Sequence, residues 1–225
     1  MPGKPPTYRD RIDPRVDYAT ALSGRIPDYL HYVERQTHLK TIAPQMMSDR
    51  LQGRVLALLS KLVQPRRILE LGTFTGYATL CLAEGLMQSG HIDTIEGDPE
   101  LAYLARTHLL ASPYADRITL YEQEVAAVLP QLTGPYNIIF LDADKRAYPE
   151  YLPVLLTLLA PGGLLVADNV LWDGRAGKKI RDADADALRR YNELVYKNQQ
   201  LDPLVLPIRD GLSIARRTTA NTRPV

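Results

Sequence analysis

Cysteine is almost missing from this sequence of 225 residues, and an excess of charge of one sign is missing altogether. The single cysteine, Cys81, excludes an internal disulfide framework, and no grouping of Cys and His residues has the spacing of a zinc site. Both features are typical of proteins from a reducing compartment, so we expect the protein in the cytoplasm.

The charges of the chain are balanced. Lys and Arg total 27 and Asp and Glu total 26, for a net charge of +1, which offers no phosphate track to a nucleic acid. No apolar run approaches the ~18 residues of a membrane span, and the polar, proline-rich N-terminus lacks the apolar core of a secretion signal. We therefore expect no nucleic acid and no membrane among the partners, but a small molecule.

The order of predicted elements indicates one α/β domain. A polar tail covers residues 1–15, and apolar residues recur at helical spacing over 16–65, which predicts two or three helices. From residue 66 to 217, short apolar runs alternate with helical segments, a pattern typical of a parallel sheet. The predicted strands are 67–71, 91–96, 118–122, 137–142, 163–168, 203–207 and 212–216.

The last two predicted strands are joined by residues 208–211 alone, with Asp210 and Gly211 in the turn. This connection is too short for a helical crossover, so the pair must be antiparallel. The predicted fold is a doubly wound, Rossmann-like sheet of seven mostly parallel strands, with the last strand antiparallel and helices on both faces.

A glycine loop follows the first predicted strand. It runs from Glu70 through Gly72 and Gly76 to a helix, at the edge of the sheet where open α/β folds bind ligands. The dinucleotide fingerprint G-x-G-x-x-G would need a glycine at position 74, where this chain has Phe74. The loop therefore disfavours a diphosphate.

Glu96 ends the second predicted strand, 20 residues after Gly76. A carboxylate at that place can accept hydrogen bonds from both hydroxyls of a ribose. Taken alone, such a loop is often only a tight turn and such a glutamate is often merely solvated. Together, in this order and spacing, they predict a nucleoside site without phosphates, as S-adenosylmethionine would need.

Polar side chains also follow the fourth and fifth predicted strands. Asp142 ends one strand, with Lys145 just beyond it, and Asp168 ends the other, followed by Asn169. The oxygens of Asp142, Asp168 and Asn169 can therefore converge at one edge of the sheet. Such oxygens suit Mg²⁺ or a similar cation, and Lys145 could take a proton from a phenol or stabilise the phenolate. The alternatives are helix capping by the strand-end residues and an exposed lysine.

Four segments of the chain resemble the cation-dependent class I O-methyltransferases, a family that includes catechol O-methyltransferase and caffeoyl-CoA O-methyltransferase. They are LELGTFTGY at 69–77, FLDADKRAYPEY at 140–151, PGGLLVADNVLWDG at 161–174 and LPIRDGLSIARR at 206–217, and they occur in family order. The resemblance extends over about residues 46–217.

The resemblance implies a role for each matching residue. Asp142, Asp168 and Asn169 would bind the cation, which is Mg²⁺ or another divalent ion such as Mn²⁺ or Ca²⁺, and Lys145 with Asp142 would be catalytic. The acceptor would contact Lys145, Asn169, Trp172 and Asp210. S-adenosylmethionine would be bound by Met46, Ser48, Glu70, Gly72, Thr73, Ala78, Glu96, Val125 and Asp142.

Some of these assignments have simpler alternatives. Ala78 stands where members of the family often have a serine that binds the donor carboxylate, so backbone or water would have to replace that contact. Trp172 could pack at a loop base, and an Asp-Gly turn explains Asp210 without any function.

The predicted reaction is methyl transfer from S-adenosylmethionine to one hydroxyl of an aromatic vicinal diol, by an enzyme that is a homodimer by resemblance. A catechol, a caffeoyl ester or thioester, and a flavonoid all remain open as acceptors. The rival readings are a nicotinamide-dependent oxidoreductase, a non-catalytic binding protein and an RNA methyltransferase, the last disfavoured by the balanced charge.

Overall fold

The computed structural model describes residues 14–178 and 181–219. The first 13 residues of the predicted polar tail lie outside this range. Three helices precede the sheet: α1 (Pro14–Leu22), α2 (Asp28–Lys40) and α3 (Arg50–Val63), with a 3₁₀ turn at Pro44–Met46 between the last two. Helix α3 begins where the Asp49 side chain accepts a hydrogen bond from the Gln52 amide, an N-cap that satisfies one free N–H.

Seven strands form one sheet in the order β3-β2-β1-β4-β5-β7-β6. Strands β1 to β5 are parallel to one another, and β7 runs antiparallel to both β5 and β6, which confirms the predicted fold. The strands are β1 (Arg67–Leu71), β2 (His91–Ile95), β3 (Ile118–Tyr121), β4 (Tyr136–Leu141), β5 (Leu159–Ala167), β6 (Leu201–Leu206) and β7 (Leu212–Arg217).

Helices cover both faces of the sheet. Residues of α2, α3 and the end of α5 form one apolar core with α4, and residues of α6, α7 and α8 form the other. Apolar side chains alternate between the two cores along β1 and β4, as Ile68 and Leu69 do, because successive strand residues point to opposite faces. The helices are α4 (Tyr77–Ala83), α5 (Pro99–Leu110), α6 (Val125–Val128), α7 (Tyr148–Leu158) and α8 (Ala183–Lys197).

Two strands begin earlier than the sequence predicts. Strand β5 begins at Leu159 instead of residue 163, because Leu159 pairs with Tyr136 across an irregular register, although Pro161 and Gly162 are typical of a turn. Strand β6 begins at Leu201 instead of residue 203, and Leu201 is fully buried opposite Arg217. In both cases pairing with a neighbouring strand overrides the local turn signal.

The predicted tight turn between β6 and β7 is confirmed. Gly211 has φ +93°, and its amide donates to the carbonyl of Ile208 at 2.9 Å. The turn also contacts the loop after β5, because the amides of Val170 and Leu171 donate to the carbonyls of Gly211 and Asp210. The turn is thus fixed beside the ends of β4 and β5.

The N-terminal helices are attached to the sheet layer by buried polar contacts. The Ser60 hydroxyl of α3 donates to the Leu82 carbonyl at 2.6 Å, and the hydroxyls of Thr37 and Thr75 lie 2.8 Å apart. These contacts join α2 to the glycine loop, through Thr75, and α3 to α4, through Leu82. Within the described residues, no helix is long and apolar enough to cross a membrane.

Candidate active site

A cleft of about 610 Å³ opens at the carboxyl ends of the parallel strands, a volume within the range of small-molecule sites. Topology explains its place, because ligands bind where the strand order of such a sheet reverses. From β1 the chain crosses to β2 and β3 on one side, and it then returns from β3 to β4 on the other side of β1. Nine of the predicted site residues line this cleft: Met46, Gly72, Glu96, Val125, Asp142, Lys145, Asn169, Trp172 and Asp210.

The glycine loop forms the floor of the cleft between β1 and β4. Gly72 has φ +96°, and a Cβ atom on this residue would lie 2.1 Å from the Asp142 carbonyl oxygen. Only glycine fits there, because the loop passes directly against the end of β4. The amides of Gly72 and Thr73 both donate to the Ile95 carbonyl, which fixes the loop to the end of β2.

Glu96 lies at one end of the cleft, directly after β2. One carboxylate oxygen accepts from the Phe74 amide at 2.7 Å, and the other accepts from the Asp98 amide at 3.0 Å. Burial raises the pKa of Glu96, and these backbone N–H groups oppose the rise. Each oxygen keeps a second lone pair, so a carboxylate held this way can still accept hydrogen bonds from two hydroxyl groups.

Five predicted site residues do not line the cleft. Glu70, Thr73 and Ala78 are buried beneath the glycine loop, and Ser48 is buried behind the 3₁₀ turn whose exposed Met46 faces the cleft. Asp168 is also buried, at 1% exposure. All five side chains are thus buried and lie outside the cleft lining.

Glu70 is fully buried in a polar pocket of its own. One oxygen accepts hydrogen bonds from the hydroxyls of Thr79 and Thr94, and the other oxygen has no partner among the described residues. Burial raises the pKa of Glu70 to about 8, and the two hydroxyls lower it. The side chain thus links β1, α4 and β2 below the loop.

A close ion pair lies at the other end of the cleft, where β4 and β5 end. We call this the catalytic end, because it contains Asp142 and Lys145, which the sequence predicts to be catalytic. The Lys145 ammonium donates to an Asp142 carboxylate oxygen at 2.6 Å, and these side chains are 13% and 19% exposed. Burial raises the pKa of Asp142 to about 6, Lys145 lowers it and Asp168 raises it. Asp142 and Asp168 therefore repel each other across the ends of β4 and β5.

Asn169 follows Asp168 in a left-handed conformation, with φ 61°. Its amide donates to an Asp168 carboxylate oxygen at 2.7 Å. Across residues 14–178 and 181–219, no three His, Cys, Asp or Glu side chains cluster as metal ligands. The Asn169 side chain lines the cleft and adds an amide oxygen at this end.

Backbone strain is concentrated around the cleft. Six non-glycine residues of the described chain have positive φ, and four of them line the cleft. Such conformations cost of order 1–3 kcal/mol each and cluster at active sites. The four residues are Phe74, Asn169, Trp172 and Arg209.

Trp172 and Asp210 form the outer wall of the catalytic end. The Trp172 indole N–H donates to Asp182 at 3.3 Å, where Asp182 is the N-cap of α8. The Asp210 carboxylate accepts from the Asp173 amide. Both side chains thus have structural contacts as well as a place in the cleft wall.

Sequence reasoning missed Arg209 and Tyr148. Arg209 lines the cleft, and its guanidinium donates to the Gln52 side chain at 2.9 Å and to the Gln45 carbonyl at 3.0 Å. It joins the β6–β7 turn to the segment that carries Met46. No sequence signal links Arg209 to Gln52, which is 157 residues away.

A family model described as O-methyltransferase matches residues 20–218 of the chain. The chain belongs to the O-methyltransferase family. It is 35% identical to a catechol O-methyltransferase of Niastella koreensis over 174 residues, which cover 73% of this chain and 79% of that protein. It is 29% identical to a caffeoyl-CoA O-methyltransferase of Populus kitakamiensis over 178 residues, 74% of this chain and 76% of that one.

Among solved structures, this O-methyltransferase is similar to the O-methyltransferase TomG from Streptomyces achromogenes, which was crystallised with SAM. The TM-score is 0.84 at 30% identity, and the match covers 90% of this chain and 95% of TomG. The predicted relation to the catechol and caffeoyl-CoA enzymes and the predicted enzyme class are confirmed. The alternative prediction of a nicotinamide-dependent oxidoreductase is therefore excluded.

Proposed function

We propose that this O-methyltransferase moves the methyl group of S-adenosylmethionine to one hydroxyl of an aromatic vicinal diol, with the help of a divalent cation. One observation carries the proposal: Asp142, Lys145 and Asn169 lie in the same cleft as Gly72 and Glu96. The proposed nucleoside site and the proposed cation and base site would therefore share one cleft.

The donor would occupy the end of the cleft formed by the glycine loop. Glu96 would accept from the ribose hydroxyls, Val125 would lie near the adenine, and Met46 would cover the donor from the other side. The SAM complex of TomG supports this choice of donor. The buried Ser48, Glu70, Thr73 and Ala78 would support the donor site from behind it.

The residues at the catalytic end fit a divalent cation. Asp142, Asp168 and Asn169 supply hard oxygens, and the repulsion that raises the pKa of Asp142 would be relieved by a positive charge between the carboxylates. When bound, Mg²⁺, Mn²⁺ or Ca²⁺ would supply Lewis-acid stabilisation of an ionised acceptor oxygen. The three ligand residues, Asp142, Asp168 and Asn169, do not favour one of these ions over the others.

Lys145 would act on the acceptor proton. Its Nζ lies 2.6 Å from Asp142 and lines the cleft, where it can hold the proton of an acceptor hydroxyl or stabilise the phenolate. Trp172 and Asp210 would contact the acceptor ring from the outer wall. The rest of the catalytic effect is positioning and electrostatics in a mostly buried site.

An ortho-diol should be a better acceptor than a monophenol, because it has two neighbouring oxygens for the cation and base site. The relatives named as catechol and caffeoyl-CoA O-methyltransferases support this class of acceptor. Between a catechol, a caffeoyl ester or thioester and a flavonoid, the cleft alone makes no choice.

Methyl transfer from labelled S-adenosylmethionine to matched ortho-diols and monophenols tests the proposal, with Mg²⁺ and with EDTA. We expect turnover of the diols, at least about 100-fold faster than of the monophenols, and loss of turnover in EDTA. A monophenol that reacts as fast as its ortho-diol analogue would refute the proposed acceptor class. Full activity in EDTA would refute the proposed cation.

We also infer a cytoplasmic homodimer. The only cysteine is buried and unpaired, which is typical of proteins from reducing compartments. Several large apolar side chains of α2, α3 and the segment between them are exposed, including Leu39, Ile42 and Leu62, and a second copy could cover them. Light scattering after gel filtration would measure a mass of twice 25.2 kDa for the dimer.

A further inference from the structure

The hydroxyl of Tyr148 connects Lys145 to the ends of two strands. It accepts a hydrogen bond from the Lys145 Nζ at 3.0 Å. It lies 2.9 Å from the Leu141 carbonyl oxygen and 3.2 Å from the Asp168 carbonyl oxygen, as a donor to either. The side chain is fully buried, so these groups and not water determine the direction of its hydroxyl.

The chemistry of the three neighbours fixes the direction of each hydrogen bond. Carbonyl oxygens only accept and an ammonium only donates, so the single proton of the Tyr148 hydroxyl goes to Leu141 or Asp168. Its lone pair then faces Lys145. An ordinary phenol has a pKa of about 10, so the hydroxyl keeps its proton at neutral pH.

Local geometry brings the two side chains together. Lys145 is the first residue of a 3₁₀ turn, Lys145–Ala147, and Tyr148 follows directly as the first residue of α7. Side chains three residues apart lie above one another in such a turn. The ring of Tyr148 also lies 5.1 Å from Nζ, which adds a cation–π attraction to the hydrogen bond.

We propose that Tyr148 is a positioning residue for methyl transfer: it holds the Lys145 nitrogen so that one tetrahedral position remains for the acceptor oxygen. Asp142 and Tyr148 occupy two N–H positions of Nζ. On a neutral amine the remaining position is the lone pair that takes the acceptor proton. On an ammonium it is an N–H that stabilises the phenolate. This inference rests on the proposed function of Lys145.

Tyr191 of α8 provides a matched control. It is as fully buried as Tyr148, and the rings of the two residues pack edge to face with centroids 5.3 Å apart. Tyr148→Phe and Tyr191→Phe therefore remove the same atom from the same apolar layer. Only the first substitution removes a hydrogen bond to Lys145.

The experiment compares kcat for an ortho-diol, the ratio of the two monomethyl products and the Kd for S-adenosylhomocysteine by calorimetry. For Tyr148→Phe we expect a fall in kcat of about 30-fold, an altered product ratio and a Kd within about twofold of wild type. For Tyr191→Phe we expect kcat within about threefold of wild type and an unchanged product ratio. The product ratio does not depend on the folded fraction, so it remains informative if either variant is unstable.

A double-mutant cycle with Lys145→Ala separates positioning from packing. If Tyr148 acts through Lys145, Tyr148→Phe should slow the Lys145→Ala enzyme by less than about twofold. An equal loss in both backgrounds, or a Tyr148→Phe enzyme with wild-type kcat and product ratio, overturns the inference and leaves the proposed function intact. A Lys145→Ala enzyme with wild-type kcat overturns the proposed role of Lys145 and this inference together.

Discussion

The two ends of the cleft are built in different ways. At the donor end the geometry comes from the backbone: amides of Phe74 and Asp98 hold the Glu96 carboxylate, and Gly72 passes against the end of β4. At the catalytic end the geometry comes from side chains, since Lys145 donates to both Asp142 and Tyr148.

This difference should separate the effects of substitution. A side chain held by backbone amides can be replaced without moving its neighbours, so a substitution of Glu96 should alter donor affinity alone. In a hydrogen-bonded network of buried groups, each member depends on the others. Any substitution at the catalytic end should therefore disturb the whole network and lower kcat.

The largest effect should come from Asp142→Asn. The substitution removes a negative charge that the cation site and Lys145 both need, so we expect kcat to fall by about 10³-fold, equivalent to about 4 kcal/mol. The Kd for S-adenosylhomocysteine should change by less than about threefold, since the donor is held mainly at the other end. Steady-state kinetics and calorimetry measure the two quantities.

Asp144→Asn is the matched control, because Asp144 lies two residues away and its carboxylate caps the Arg146 amide at 3.1 Å. Its kcat should stay within about threefold of wild type. Equal losses for the two variants would mean that the general negative charge of the cleft matters and not the particular site.

Sequence reasoning succeeded where residues follow strands. Asp142 and Asn169 were predicted to meet because parallel strands end at one edge of the sheet, and both line the cleft. It failed for the Tyr148 hydroxyl, because the carbonyls that orient it belong to two different strands and carry no sequence signal. Arg209 was missed because its partners lie in the helical segment before the sheet.

The donor site shows a second reason why some site residues could be predicted from the sequence and others could not. The resemblance placed Glu70 and Ala78 at the donor, whereas both side chains are buried outside the cleft lining. A motif fixes the path of the backbone better than the direction of each side chain, and direction decides which atoms reach a ligand. The fold was predictable to within a few residues for each strand because periodicity and turn residues are local signals.

Gly72→Ala should disturb both ends at once. A Cβ at this residue would lie 2.1 Å from the Asp142 carbonyl oxygen, and φ +96° is strained for any other residue. We expect the free energy of unfolding to fall by about 3 kcal/mol, together with weaker donor binding and lower kcat. Urea unfolding, calorimetry and kinetics measure the three effects.

Gly174→Ala is the control for Gly72→Ala, because it has the backbone strain of a positive φ without the steric clash. Gly174 has φ +70°, and no heavy atom lies within 4 Å of a Cβ built on it. Gly174→Ala should therefore cost only about 1 kcal/mol of stability. If Gly72→Ala costs no more than Gly174→Ala, the close approach between the glycine loop and β4 is not what fixes the two ends.

Glu70, below the donor end, should make stability depend on pH. Its pKa in the folded protein is about 8, above the ordinary value of 4.5, so the folded state binds more protons than the unfolded state between these values. The free energy of unfolding should fall as pH rises through this window. We expect the Glu70 contribution to lower it by about 3 kcal/mol between pH 5 and 7.5.

Glu70→Gln removes this titration while keeping a polar side chain. The variant should lose less stability than wild type between pH 5 and 7.5, although its amide N–H groups would take the place of an oxygen that has no partner among the described residues. Urea unfolding at the two pH values measures the difference. Identical pH dependence in both proteins would show that Glu70 does not titrate in this window.

The smallest effect should come from Glu96→Gln, which tests whether the donor end is independent of the catalytic end. The glutamine amide keeps one accepting oxygen, so it can hold only one of the Phe74 and Asp98 amides and fewer ribose hydroxyls. We expect the Kd for S-adenosylhomocysteine to rise about 10-fold, with kcat at saturating donor within about twofold of wild type.

A 2′-deoxy analogue sharpens the test, because its loss of affinity should be large for wild type and small for Glu96→Gln. An equal loss for both proteins would mean that Glu96 does not bind the ribose, and a large fall in kcat would mean that the two ends of the cleft are coupled.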